Sequence, residues 1–87
     1  MSDAASKIII YGAEWCGFCH EAMHYLDKLG VGYTYKNVDL NPDDARAAIE
    51  KSHQTGIPVL DVDGIIIVGF DRPRLNDALK DKKLVAA

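Results

Sequence analysis

The chain has 87 residues, 48% of them hydrophobic and 26% charged, the composition of one ordinary globular domain with a modest core and not of a disordered segment. A net charge of −3 offers no basic footprint for nucleic acid or an anionic membrane, and neither is expected as a partner. Met1 to Lys7 lacks the charged-then-apolar build of an export signal, and Ile8–Ile10 is too short to cross a bilayer, so a cytoplasmic location is expected.

Lys7-Ile8-Ile9-Ile10-Tyr11 is a β-rich apolar run that stops at Gly12 and reads as a buried strand. From Cys19 the period changes. Cys19, Ala22, Met23, Leu26 and Leu29 fall on one helical face, and Gly30 closes that helix. Tyr33–Val38 is a second strand. Asn41-Pro42-Asp43-Asp44 starts a second helix with a cap, a proline at the first position and acids at the positive end. Ala45, Ala48 and Ile49 are its expected apolar side. Strands follow at Pro58–Val62 and Gly64–Val68, joined by the hairpin signal Asp63-Gly64. Asp71 then caps a last helix that turns Leu75, Ala78 and Leu79 inward, with Lys82 and Lys83 near its negative end.

The order is β-α-β-α-β-β-α. A helical crossover makes the first two strands parallel, and the tight turn makes the last two antiparallel. The predicted fold is therefore α/β, a four-stranded mixed sheet with three helices on its two faces, spanning residues 1–87 as one domain.

Two cysteines in a reducing compartment are more often catalytic or metal-binding than a structural staple. A bridge across Cys16-Gly17-Phe18-Cys19 would close too small a loop to stabilise much. Cys16 stands between the end of a strand and the start of a helix, where unpaired N–H groups and a partial positive charge favour a thiolate. Cys19 follows one turn later, within disulfide reach. Cys16 is expected to be exposed and acidic, the nucleophile. Cys19 is expected to be partly buried, the resolving thiol that releases the reduced product.

Other chemistries for the pair fare worse. Cys16-Gly17-Phe18-Cys19-His20 also fits the attachment pattern of c-type haem, but that needs export and a second axial ligand. Zinc on Cys16, Cys19, His20 and His24 would require one short helical stretch to wrap a tetrahedral ion. No metal site is expected.

At these residues the sequence resembles the glutaredoxin/thioredoxin superfamily over nearly the whole chain, Lys7 to about Lys83, and the resemblance implies the thioredoxin fold. Length and element order are similar to glutaredoxins. Ala13-Glu14-Trp15-Cys16-Gly17-Phe18-Cys19 looks instead like thioredoxin's A-E-W-C-G-P-C. Thr55-Gly56-Ile57-Pro58-Val59 resembles the segment that carries the family's cis-proline. Gly69-Phe70-Asp71-Arg72-Pro73-Arg74-Leu75 resembles bacterial glutaredoxin-like and NrdH-type redoxins. The resemblance implies a dithiol–disulfide oxidoreductase acting on proteins or small molecules. In it the Ile57–Pro58 bond is cis, and Ile57 pairs with the substrate backbone as a short added strand. Trp15, Phe18, Gly69, Phe70 and Asp71 complete the expected substrate-binding set around Ile57 and Pro58.

Departures from each relative carry information. Glutathione-dependent glutaredoxins usually carry a lysine three residues before the first cysteine, where this chain has Ala13. Of their G-G-x-D-D segment only Gly69 and Asp71 remain, and Arg72 stands at the second acid. Thioredoxin's buried aspartate corresponds to Ile10, which leaves the proton acceptor of Cys19 unassigned. In cluster-carrying monothiol glutaredoxins Cys-Gly-Phe is followed by Ser; Cys19 replaces it, so a glutathione-dependent iron–sulfur carrier is the second reading. In the first reading no cofactor is bound. Electrons arrive from thioredoxin reductase and NADPH or from glutathione, and the partners are disulfide-containing proteins met by a monomer.

The remaining candidates have plainer readings beside the functional ones. Trp15 is a docking surface or packing at the strand end, Phe18 a partner contact or an incidental exposed aromatic, and Phe70 a groove wall or a core residue. His20 is read as a solvated helix residue that adds positive potential if protonated. His24 and His53 are surface residues, and Tyr11, Tyr25, Tyr33 and Tyr35 pack at the sheet and core edge.

Overall fold

The computed structural model describes residues 7–84; residues 1–6, part of the segment read above for an export signal, and residues 85–87 lie outside them. The elements come in the expected order: β1 (Ile8–Gly12), α1 (Gly17–Leu29), β2 (Thr34–Asn37), α2 (Pro42–Ser52), β3 (Val59–Val62), β4 (Ile65–Val68) and α3 (Arg72–Asp81). The sheet order is β2-β1-β3-β4. β1 runs parallel to β2, with Ile10 beside Tyr35, and antiparallel to β3, with Ile10 beside Leu60. β3 and β4 form the hairpin, and Asp63 and Gly64 at its turn both have positive φ (51° and 100°).

Strand alternation sorts the side chains onto two faces. Ile8, Ile10, Leu60, Val62 and Ile67 pack with Ala22 and Leu26 of α1 and Leu75, Ala78 and Leu79 of α3. Tyr11 and Val59 face the other way, against Ala48 of α2. No polar or charged side chain is buried among the described residues.

Each helix begins as its sequence suggests. Cys16 caps α1, its sulfur accepting the Cys19 N–H at 3.2 Å, while Asn41 and Asp71 accept from Asp43 N and Arg74 N at the starts of α2 and α3. Gly30 ends α1 in the left-handed region, φ 73°, and its N–H reaches Asp27 O at 3.0 Å. No helix among the described residues is long and apolar enough to cross a membrane.

β1 ends at Gly12 as expected, its last pair being Gly12 beside Asn37. Two local expectations, on Leu29 and Ile49, are corrected. Leu29, expected inward, is exposed in the last turn of α1, past the core that Leu26 reaches. Ile49 is also exposed, because α2 turns Ala47, Ala48 and Lys51 towards the sheet. The anchor of that rotation is polar. Lys51 Nζ donates to Asp61 Oδ2 at 2.6 Å and to Tyr11 Oη at 2.8 Å, tying α2 to β3 and β1 together.

These contacts set the behaviour of the fold in alkali. Burial lowers the Lys51 pKa, but the hydrogen bonds to Asp61 and Tyr11 outweigh it and hold the ammonium above its ordinary range. Burial, helped by Asp27, raises Tyr33; burial, helped by Glu14, raises Tyr35. In all three the folded chain keeps its proton to higher pH than the unfolded chain. Their stabilisation is complete below the unfolded values of about 10 and is lost as pH rises through the folded ones. Urea titrations at stepped pH should therefore show stability falling above about pH 10. Lys51→Met should flatten part of that decline, and an unchanged slope would contradict the assignment.

Candidate active site

The end of β1 and the start of α1 build the site between them. Alternation puts Gly12 on the same face as Ile8 and Ile10, directly under α1. A Cβ placed on Gly12 would lie 2.6 Å from Cys19 Sγ and 3.0 Å from Cys19 Cβ, so the bare glycine is what lets Cys19 settle onto the strand. Cys19 is completely buried there. Cys16, one turn earlier, is bonded to it as a disulfide with the Cα atoms 5.2 Å apart.

The expected exposure of the pair needs correction. Cys16 is only 6% accessible and Cys19, expected to be partly buried, is sealed. The reason is the bond itself: the Cys16 sulfur points at the helix, linked to Cys19 and accepting its N–H. The exposed groups at this end are Cys16's neighbours, Trp15 at 72% and Phe18 at 65%. That is far more than packing at a strand end would leave to Trp15, and Phe18 lies open as expected.

Trp15 is oriented although it is exposed. Its indole N–H donates to Asp39 Oδ2 at 2.7 Å. Asp39 is itself placed by an Asx turn in which Asn37 Oδ1 accepts the N–H groups of Asp39 and Leu40. On the other side, Tyr35 donates to Glu14 Oε2 at 3.2 Å, and His20 Nε2 donates to the Glu14 carbonyl at 2.7 Å. His20 is thus solvent-exposed but tethered, and it clips the loop before Cys16 back onto α1. His24 and His53 stand on the surface as expected.

The second half of the site comes from the turn into β3. The Ile57–Pro58 peptide is cis, as the resemblance implied. Val59 pairs with Tyr11, so continuing the register by one residue sets Pro58 across from Gly12, the seat of Cys19. Pro58 is fully buried, and its carbonyl accepts the N–H of Gly69 at 2.8 Å. Among the described residues the backbone N–H and C=O of Ile57 have no hydrogen-bond partner. Gly69 adopts φ 82°, which carries the chain from β4 over Pro58 to Phe70. Phe70 meets Tyr25 edge to face, 5.8 Å between ring centres, so it is both groove wall and core contact. The Asp71 carboxylate is engaged as the cap of α3.

Cys16, Cys19, Trp15, Phe18, Ile57 and Pro58 thus gather at one end of the sheet, with Gly69, Phe70 and Asp71 on the flanking loop. Reading the sequence missed Gly12, Glu14, Tyr35 and Asp39. A glycine closing an otherwise regular strand was a legible sign of close backbone approach. Nothing linear connects Trp15 to a residue 24 positions away. Among the described residues no cluster of His, Cys, Asp and Glu could hold a metal ion.

The sequence model of the family described as Glutaredoxin matches residues 8–67. An uncharacterised glutaredoxin-like 8.6 kDa protein in the rubredoxin operon of Clostridium pasteurianum is 29% identical over 73 residues, covering 84% of this chain and 97% of that one. The NrdH-redoxin of Escherichia coli superposes with a TM-score of 0.73 at 26% identity, over 80% of this chain and 91% of that one. The buckwheat glutaredoxin–glutathione complex has the same fold, with a TM-score of 0.74 at 21% identity over 94% and 84% of the two chains.

The seat of Cys19 can be tested directly. Gly12→Ala should cost about 1–3 kcal/mol in urea unfolding of the oxidised protein, the usual penalty for overpacking. Gly17→Ala, where a Cβ meets nothing within 4 Å, is the matched control and should cost nothing comparable. Equal effects of the two would refute the close-approach argument.

Proposed function

Since the chain belongs to the glutaredoxin family, we propose that it is a dithiol–disulfide oxidoreductase whose reduced form carries two electrons on Cys16 and Cys19. The observation that carries this reading is the Cys16–Cys19 bond at the first turn of α1, with the unpaired backbone of Ile57 beside it. In the reduced chain the helix N-terminus stabilises a Cys16 thiolate. That thiolate attacks one sulfur of a substrate disulfide, and the other substrate sulfur leaves as a thiolate. Cys19, after losing its proton, attacks Cys16 in the mixed disulfide. The Cys16–Cys19 bond forms and the second substrate thiolate departs. The substrate backbone pairs with Ile57 during these steps, held as an added strand at the sheet end.

The roles of the two sulfurs follow from their places. Alkylation of the reduced protein at mildly acidic pH should label Cys16 much faster than the sealed Cys19, read by mass spectrometry of the digest. Cys16→Ser should abolish disulfide reduction. Cys19→Ser should accumulate a mixed disulfide with protein substrates. Preferential labelling of Cys19 would reverse the assignment, and visible absorption from a cluster in anaerobically purified protein would favour the iron–sulfur carrier.

The electron donor we propose is a flavin-dependent thioredoxin reductase using NADPH, in preference to glutathione. Ala13 supplies no cation for a glutathione carboxylate. Arg72 supplies no acid for its amino group, and its guanidinium stacks 4.7 Å over the Tyr25 ring. Asp71 is already engaged in capping α3. Losing two charge-assisted contacts of about 1–3 kcal/mol each weakens glutathione recognition by one or more orders of magnitude. The Escherichia coli NrdH-redoxin, itself glutaredoxin-like, has a thioredoxin-like activity profile. Offered both systems, the oxidised chain should be reduced more efficiently by thioredoxin reductase with NADPH than by glutathione with its reductase. Faster reduction by glutathione at cellular concentration would show that Asp71 and Ile57 suffice to hold it.

A further inference from the structure

Alongside the disulfide lies a groove of about 630 Å³ between α1 and the loop that leads into α3. Its floor is aromatic: the Tyr25 ring, met at its edge by Phe70 and covered on one side by the Arg72 guanidinium at 4.7 Å. Its rim carries Lys28, Arg72, His20 and His24 against a single acid, Glu21. Among the described residues neither Lys28 nor Arg72 forms a salt bridge, as is also true of Arg74 and Lys80 elsewhere on the chain. A chain with more acids than bases thus sets two fixed cations against one acid around this apolar hollow.

Two of the groove's lining residues adjoin the redox site along the chain. His20 follows Cys19 directly, and Phe70 follows Gly69, whose N–H is bonded to the carbonyl of Pro58. We propose that this groove docks an acidic segment of the protein substrate next to the disulfide being reduced, with an apolar side chain on Tyr25 and Phe70 and carboxylates towards Lys28 and Arg72. This rests on the oxidoreductase reading above and adds to it a class of partner. The distance sets the register. At about 1.5 Å per residue, His20 to Lys28 lie about 6–18 Å along α1 from Cys16. An extended chain covers that in about two to five residues from its cysteine.

Ion pairs at an exposed rim act on encounter and recognition more than on chemistry. The test uses the reduced chain with dithiothreitol as electron source and two synthetic peptide disulfides, one with glutamates and the other with lysines at the second to fifth residues from the cysteine. Hydroxyethyl disulfide serves as the uncharged reference. KM should be about three- to tenfold lower for the glutamate peptide at low salt, with kcat alike, and the difference should shrink as ionic strength rises. Lys28→Glu combined with Arg72→Glu should reverse the preference and leave hydroxyethyl disulfide turnover unchanged. The salt series on the unmodified chain gives the same answer without depending on how the variant folds. Turnover of hydroxyethyl disulfide with equal KM for the two peptides overturns the docking role alone. Absence of turnover with all three substrates overturns the oxidoreductase reading and this role with it.

Discussion

Cys19 lies against the backbone of Gly12, and the rest of the site follows from that contact. A helix can approach a strand this closely only where the strand has no side chain, since a Cβ at Gly12 would fall 2.6 Å from the sulfur. With Cys19 held down, Cys16 falls at the N-cap one turn earlier, among the free N–H groups of the helix start. The same glycine closes the sheet. Its carbonyl accepts the Val38 N–H at 2.9 Å, so the chain leaving β2 is aimed at Asp39, the partner of Trp15. One missing side chain thereby positions the disulfide and the aromatic beside it.

Around that dry contact the polar groups stay at the perimeter. Beneath Cys19 the sheet offers Ile10, fully buried, and no buried polar side chain occurs among the described residues. Glu14, Tyr35 and His20 meet on the loop before Cys16, where burial and then Glu14 keep the Tyr35 hydroxyl protonated and able to donate. Such rim contacts are worth about 1 kcal/mol each and contribute little to global stability. Their consequence is orientation, because a loop held by three hydrogen bonds presents Trp15 in one arrangement beside the start of α1. The Lys51–Asp61–Tyr11 cluster does the same for the opposite face, fixing which side of α2 meets the sheet.

The element order, the caps and the hairpin were legible because each is written in neighbouring residues. Asn41 before Pro42, Asp71 before a helical period, Asp63-Gly64 between apolar runs and Cys16 at a strand-to-helix junction are all local chemistry. Leu29 and Ile49 defeated the same reasoning, since helical period gives a face but not how far along the helix the partner extends, nor how a salt bridge rotates it.

By itself the sequence determined the α/β class, the strand directions within the first pair and within the last, the two cysteines of the C-x-x-C pair and the superfamily they resemble, all of which rest on periodicity and short-range spacing. Only the tertiary structure decided the order β2-β1-β3-β4, the burial of Cys16, the tie between Trp15 and Asp39, and the basic aromatic groove beside α1. Apart from the burial of Cys16, which follows from its bond to Cys19, each of these joins residues from different elements. The energy that selects them arises from packing and pairing across the sheet, which no local window of sequence contains.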